Sequence, residues 1–140
     1  MIVGLFADHA GHDLKEEVYD RLTGMDRDVE FRNYTEKEAG DDYPDVIDRA
    51  VDAYETGDCD VIMVFCGTGI GVSMAANRRG VRVARVCIPA DAEMARKHND
   101  AEGLAFGGRQ MDVDTVVASI EAFLDAGFEG GRHQRRVDKI

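Results

Sequence analysis

Val61-Ile62-Met63-Val64-Phe65-Cys66-Gly67-Thr68-Gly69-Ile70-Gly71-Val72-Ser73-Met74-Ala75-Ala76-Asn77 is the stretch that decides the fold. It opens as an apolar run rich in β-branching, which predicts a strand buried on both faces. Glycine then takes every second position from Gly67 to Gly71, more than one tight turn requires. A segment of small residues with helical potential follows. A strand that runs into a glycine loop and then a helix aims backbone N–H groups at whatever sits above the loop. The helix start adds partial positive charge there, so the motif predicts an anion site. Cys66 stands at its lip. A cysteine in a strand is most often a small buried hydrophobe. Beside a helix start its thiolate is favoured, and it can serve as nucleophile or general base.

Outward from this centre, strand and helix patterns alternate. Met1 to Ala7 reads as a first strand, followed by the loop Asp8-His9-Ala10-Gly11-His12. A helix is predicted from about Asp13 to Leu22, with Leu14, Val18 and Leu22 on one face. Asp28 to Asn33 alternates as a half-exposed second strand does. A second helix starts near Pro44 and buries Val46, Ile47, Ala50, Val51 and Tyr54. After the central strand and third helix, Val81 to Ile88 is predicted as a fourth strand, interrupted by Arg82 and Arg85. Pro89 to about Lys97 is a fourth helix, Gly103 to Gly107 a short fifth strand and Asp112 to Leu124 a fifth helix. Such alternation implies one α/β domain over residues 1–140: a Rossmann-like three-layer sandwich around a five-stranded parallel sheet. The expected strand order is 2-1-3-4-5. In such sheets ligands sit beyond the carboxyl ends of the strands, where the winding reverses. That placement brings Asp8 and His9 face to face with the Cys66 loop.

Composition narrows the partners. The net charge of −11, from 17 basic and 28 acidic side chains, argues against nucleic acid and anionic membranes. No segment approaches the roughly 20 apolar residues of a membrane span. The N-terminus enters a strand with no basic region before it, so no signal peptide is expected. Three cysteines, odd in number and without metal-type pairing, predict a reduced cytoplasmic protein with no disulfide framework.

The glycine loop lacks the Lys-Ser/Thr ending of a nucleotide phosphate loop. It is not G-x-G-x-x-G either, and it follows the third strand rather than the first. His9 and His12 could hold a metal, but no third ligand is evident and a polar substrate contact is the preferred reading. Alternatively Asp8 caps the first helix. His98-Asn99 can simply end a helix. Arg132, His133, Arg135, Arg136 and Lys139 crowd the last nine residues of an acidic chain. They are either a solvated, salt-bridged end or a guanidinium fork for phosphate. On a helix, Arg132 and Arg136 project from one face. The acidic residues from Glu36 to Asp45 read as solvated surface.

Together these residues resemble the ribose-5-phosphate isomerase type B family, which includes the galactose-6-phosphate isomerase subunits. The resemblance rests on Asp8-His9-Ala10-Gly11, Asp42-Tyr43-Pro44-Asp45, Cys66-Gly67-Thr68-Gly69-Ile70-Gly71 with Ala75-Ala76-Asn77, His98-Asn99-Asp100-Ala101, Gly108-Arg109 and Phe128-Glu129-Gly130-Gly131-Arg132-His133. It implies a metal-free, cofactor-free aldose–ketose isomerase of phosphorylated sugars, acting as a homodimer or dimer of dimers. By this resemblance Cys66, His98 and Thr68 are the catalytic set. Cys66 moves the proton between the sugar's first two carbons, and His98 opens the ring. The amides of Gly67, Thr68, Gly69, Ile70 and Gly71 hold the enediolate oxygen. Asp8, His9, Asn99 and Arg109 contact the substrate, and Tyr43 and Thr68 line the pocket. Arg132 and Arg136 bind phosphate, with the tail from residue 128 to 140 reaching into the neighbouring subunit's site. Ribose 5-phosphate is the expected sugar. A tetrose or hexose phosphate such as galactose 6-phosphate, or an inactive sugar-phosphate-binding module, are the alternatives. The chain departs from the family's pattern at Cys87-Ile88-Pro89-Ala90 and at Glu102.

Overall fold

The computed structural model describes residues 1–34 and 42–140. The strands are β1 (Ile2–Ala7), β2 (Glu30–Tyr34), β3 (Val61–Cys66), β4 (Val83–Arg85) and β5 (Gly103–Gly107). The helices are α1 (His12–Thr23), α2 (Tyr43–Glu55), α3 (Ile70–Arg78), α4 (Pro89–Asn99), α5 (Val113–Asp125) and α6 (Arg132–Val137). All strand pairings are parallel, as the alternating pattern predicts.

β3 lies at the centre, and all six of its residues are buried. Successive side chains on a strand point to opposite faces. Val61, Met63 and Phe65 accordingly join a core under α1, α4 and α5, with Leu14, Val18, Ala92, Ala95, Val116 and Ile120. Ile62, Val64 and Cys66 join the core under α2 and α3, with Val46, Ile47, Ala50, Val72 and Ala76. The three-layer sandwich is therefore present, and Cys66 projects to its α2–α3 side.

The strand order is 2-1-3-5-4, not 2-1-3-4-5. β5 pairs with β3 and leaves β4 at the edge. The residues explain the exchange. Gly103-Leu104-Ala105-Phe106-Gly107 carries no charge and is buried throughout. β4 is only three residues long, and its last residue, Arg85, is exposed. A short strand flanked by arginines suits a sheet edge, where charge also discourages pairing with other chains. Gly103 additionally lets β5 approach β3 closely, since a Cβ there would stand 2.2 Å from the Ile62 carbonyl oxygen.

The helices return antiparallel to the strands, which determines where their ends fall. α4 starts at Pro89, beyond the carboxyl end of β4, and ends beside the amino end of β5. There the Glu102 amide donates to the Arg82 carbonyl (2.8 Å) and the Ile62 amide to the Glu102 carbonyl (3.2 Å). Asp100 stops α4 in the left-handed region at φ 47°. Arg82 donates to its carbonyl at 3.0 and 3.1 Å, and Arg96 donates to its carboxylate. Glu102 completes this clamp. It accepts from the Arg82 amide (2.8 Å) and the Tyr54 hydroxyl (2.9 Å). The acidic stretch predicted as solvated surface lies outside the described residues as far as Asp41; Asp42 and Asp45 beyond it are exposed. Among the described residues no helix is long and apolar enough to cross a membrane.

Candidate active site

The glycine loop sits where the sheet's winding reverses, between the carboxyl ends of β1, β3 and β5. It is bound to its neighbours through backbone. The Asp8 amide donates to the Phe65 carbonyl (3.1 Å), Gly108 to Cys66 (2.7 Å) and Arg109 to Gly67 (3.0 Å). Gly69 adopts φ 76°, and a Cβ there would lie 2.9 Å from the Phe106 carbonyl carbon, so both conformation and space demand glycine. Gly11 is as tightly placed, with its virtual Cβ 2.5 Å from the Phe65 backbone. These approaches draw the Asp8-His9 loop, the Cys66 loop and the Gly108-Arg109 turn into one rim.

Cys66 ends β3 with 5% of its surface exposed, between the α2–α3 core and the loop. Its Sγ accepts a hydrogen bond from the Gly69 amide at 3.1 Å. The Ile70 amide donates to Thr68 Oγ1 at 3.2 Å. The sequence reading offered every amide from Gly67 to Gly71 to a substrate oxygen; two of them are engaged within the loop. Among the described residues, the amides of Gly67, Thr68 and Gly71 have no protein acceptor. The last of these lies in the first turn of α3, where N–H groups lack intrahelical partners. The loop thus holds a thiol and three uncommitted donors, with the partial positive charge of a helix start beside them.

Side chains close over the loop. The Arg109 guanidinium lies against Gly67, 3.2 Å from its virtual Cβ, and the Tyr43 ring lies against Gly71, 3.0 Å from its virtual Cβ. His9 is exposed at the rim. Asp8 is buried, and its Oδ1 accepts from the Ala10 and Gly11 amides at 2.9 and 3.0 Å. That oxygen shapes its own loop, close to the capping alternative, although the N-cap position of α1 itself is Gly11 and not Asp8. His12 faces Asp13 (3.2 Å) and Glu16 (3.6 Å) along α1.

The other predicted site residues gather elsewhere. His98 and Asn99 form the last turn of α4, at the amino end of the strands. The C-terminal tail folds onto the same place as helix α6, anchored by the Glu129 amide on the Lys97 carbonyl (3.0 Å). His133 stacks on His98 with ring centroids 4.3 Å apart and planes within 9°. Burial lowers the pKa of His133, helped by His98 and the flanking Arg132 and Arg136. A cavity of about 290 Å³ is lined by His98, Asn99, His133, Arg136, Val137 and Ile140. Arg132 and Arg136, four residues apart on α6, are both exposed. The structure therefore brings His98, Asn99 and the arginine fork together. It separates them from Cys66, Thr68, Tyr43 and Arg109 by the length of the sheet: the four steps of β3 from Ile62 to Cys66 alone span about 13 Å.

His98, Glu129 and His133 offer donor atoms within 4.8 Å of one another. A metal must lie in the plane of each imidazole that binds it, and two parallel stacked planes share no such point. This arrangement stacks rather than ligates. By sequence His133 stands in the basic tail and in the Phe128-to-His133 motif, with no role of its own. Its position one residue after the Gly130-Gly131-Arg132 turn was the available signal.

The chain is thus a doubly wound α/β domain with a thiol and uncommitted amides at its switch point and a basic pocket at the amino edge of its sheet. The chain belongs to the ribose/galactose isomerase family, whose profile matches residues 3–140. It is 38% identical over 135 residues to ribose-5-phosphate isomerase B of Escherichia coli, covering 95% of this chain and 89% of that one. The ribose-5-phosphate isomerase B structure from Clostridium thermocellum superimposes with a TM-score of 0.91 at 39% identity, covering 99% and 94% of the two chains. The Mycoplasma genitalium enzyme, solved with bound ribulose 5-phosphate, gives a TM-score of 0.83 at 35% identity, covering 99% and 92%. The chain is an aldose–ketose isomerase of phosphorylated sugars, as its resemblance implied.

Proposed function

We propose that the chain interconverts ribose 5-phosphate and ribulose 5-phosphate through an enediolate, with Cys66 as the base. The observation that carries this reading is the Cys66 sulfur on a loop that also presents the uncommitted amides of Gly67, Thr68 and Gly71. A proton beside a carbonyl is too weakly acidic to remove unless the oxygen's growing charge is held. Preorganised amides do this, at about 3–4 kcal/mol for one good donor. The thiolate takes the proton from one carbon and returns it to its neighbour. Thr68, Tyr43, His9, Asp8 and Arg109 surround the sugar. The bound ribulose 5-phosphate of the Mycoplasma genitalium structure supports this choice of substrate.

The second half of the site comes from a partner subunit. His98, Asn99, Arg132 and Arg136 lie at the wrong end of the sheet to meet the Cys66 of their own chain. In a twofold dimer the amino edge of one subunit faces the carboxyl edge of the other, and two complete sites result. Exposed apolar side chains beside the loop support such a face: Ile70 and Met74, one turn apart on α3, are 43% and 70% exposed. The partner subunit's His98 then opens the sugar ring, and its arginines bind the phosphate. Binding that unreacting group helps orient the reacting end, and it supplies positive charge locally in an acidic protein. A base that must remain a free thiol fits a reducing compartment such as the cytoplasm.

The test is a panel of tetrose to hexose phosphates assayed with the parent and Cys66→Ala. Ketose should form from ribose 5-phosphate, and the variant should turn over about a hundredfold more slowly or worse with its fold intact. Unchanged turnover in the variant would remove Cys66 from the mechanism. Binding without conversion across the panel would make the chain a sugar-phosphate-binding module.

A further inference from the structure

Arg85 takes no part in the site as the sequence or the family resemblance draws it; by sequence it is only an interruption in a short strand. In the structure it ends β4, and its guanidinium reaches over β5 to the glycine loop. Nε donates to the Thr68 carbonyl at 2.8 Å, and Nη2 donates to Gln110 Oε1, also at 2.8 Å. The carbonyl it holds belongs to the peptide unit whose N–H is that of Gly69. That N–H is the one the Cys66 sulfur accepts, at 3.1 Å. In a trans peptide the C=O and N–H point to opposite sides of one plane. One rigid unit therefore carries the guanidinium on one side and the sulfur on the other.

We propose that Arg85 is a positioning residue for the Cys66 base, acting through the Thr68–Gly69 peptide. This inference rests on the reading of Cys66 as the base. Two effects follow from the geometry. The first is orientation. Gly69, at φ 76°, has no side chain to hold its orientation, and a turn of its peptide plane would take the N–H away from sulfur. Arg85 holds the far side of that plane, while Gln110 holds Arg85. The second is polarisation. A charged donor on a carbonyl draws electron density from the amide, and hydrogen bonds in series strengthen one another. The N–H that meets sulfur becomes a better donor, and a better donor favours sulfur as thiolate. The arginine reaches this atom without touching substrate, so its loss slows the proton transfer and leaves sugar binding in place.

The experiment uses the full chain in a Cys87→Ser background, because Cys87 is exposed and would take up reagent first. Alkylation of Cys66 by iodoacetamide at pH 7 is followed by peptide mass spectrometry in the parent, Arg85→Gln and Arg85→Lys. Ribose 5-phosphate kinetics are measured beside it. Arg85→Gln should slow Cys66 alkylation and kcat together by about five- to tenfold, with KM changed less than about twofold. Arg85→Lys keeps a charge for the carbonyl and should recover most of both rates. Alkylation at the parent rate in Arg85→Gln would overturn the proposal, as would equal losses in Arg85→Lys and Arg85→Gln. If Arg85→Gln does not fold, Gln110→Leu releases the other end of the guanidinium and should give a smaller slowing; none at all would overturn it. The alkylation readout needs no substrate. A chain inactive on every sugar phosphate would defeat the isomerase reading and still leave the Arg85 link to be judged by its thiol.

Discussion

Mixing two dead variants measures whether the site is shared between subunits. Cys66→Ala disables the carboxyl edge of the sheet, and His98→Asn disables the amino edge. Cys66 ends β3 while His98 ends α4 at the sheet's amino edge, and the four steps of β3 from Ile62 to Cys66 alone span about 13 Å. A sugar bridging them needs both within a few ångströms. In a twofold dimer made of one chain of each variant, one site receives an intact Cys66 and the partner subunit's intact His98. The other site receives both lesions. Random pairing of equal amounts makes about half of the dimers mixed, each with one working site of two. Activity should therefore recover to about a quarter of the parent's, from two preparations each down by about a hundredfold or more. Co-expression with two different affinity tags, tandem purification of the mixed dimer and a ribulose 5-phosphate assay would read this; the purified heterodimer should reach about half of parent activity. A tandem-purified heterodimer as inactive as its parents would refute the shared site, because it would mean that each chain completes its own.

Arg136→Ala should raise KM for ribose 5-phosphate by roughly ten- to a hundredfold, since the fork supplies charge-assisted bonds to phosphate; steady-state kinetics check it, and a similar fall in kcat with constant KM would contradict the assignment. Lys15 is fully buried and bonded to Asn33, and burial lowers its pKa despite Glu16 beside it at 2.9 Å. With the folded value below the unfolded one, the unfolded chain binds more protons between them, so stability rises with pH there. Urea unfolding at pH 8 and 10 should show this increment in the parent and lose it in Lys15→Met. Burial pushes the Cys59 thiol up to about 11, with Asp58 and Asp60 adding to the effect. Native-state alkylation at pH 8 followed by mass mapping should label Cys87 first and leave Cys59 unmodified.

Much of this was legible in the chain because the strongest signals are local. The apolar run from Val61 to Cys66 and the alternating glycines specify a buried strand and a loop whose conformation few residues other than glycine can adopt, as Gly69 demonstrates. Strand order was less accessible. It depends on which of two short segments tolerates burial on both sides, and the reading took chain order over the contrast between uncharged β5 and arginine-flanked β4. The division of the site followed from a rule at hand. Crossover helices run back along the sheet, so a histidine ending α4 is carried to the far edge. The resemblance assigns only the tail from residue 128 to 140 to a neighbouring subunit and leaves His98 and Asn99 without such an assignment. The loop's internal bonds, Gly69 to sulfur and Ile70 to Thr68, were not readable, because periodicity says nothing about which way a peptide plane faces. Nor was Arg85, whose partners are brought near it only by the sheet.

The separation of the two half-sites along one sheet has a consequence for how such an enzyme behaves when scarce. A lone subunit keeps both hydrophobic cores, since each is filled from within the chain. What it lacks, in the dimer proposed above, is the opposing surface that completes the chemistry. Dilution below the dimer's dissociation constant should therefore yield a fully folded yet silent monomer. Specific activity would climb with protein concentration while circular dichroism stayed flat.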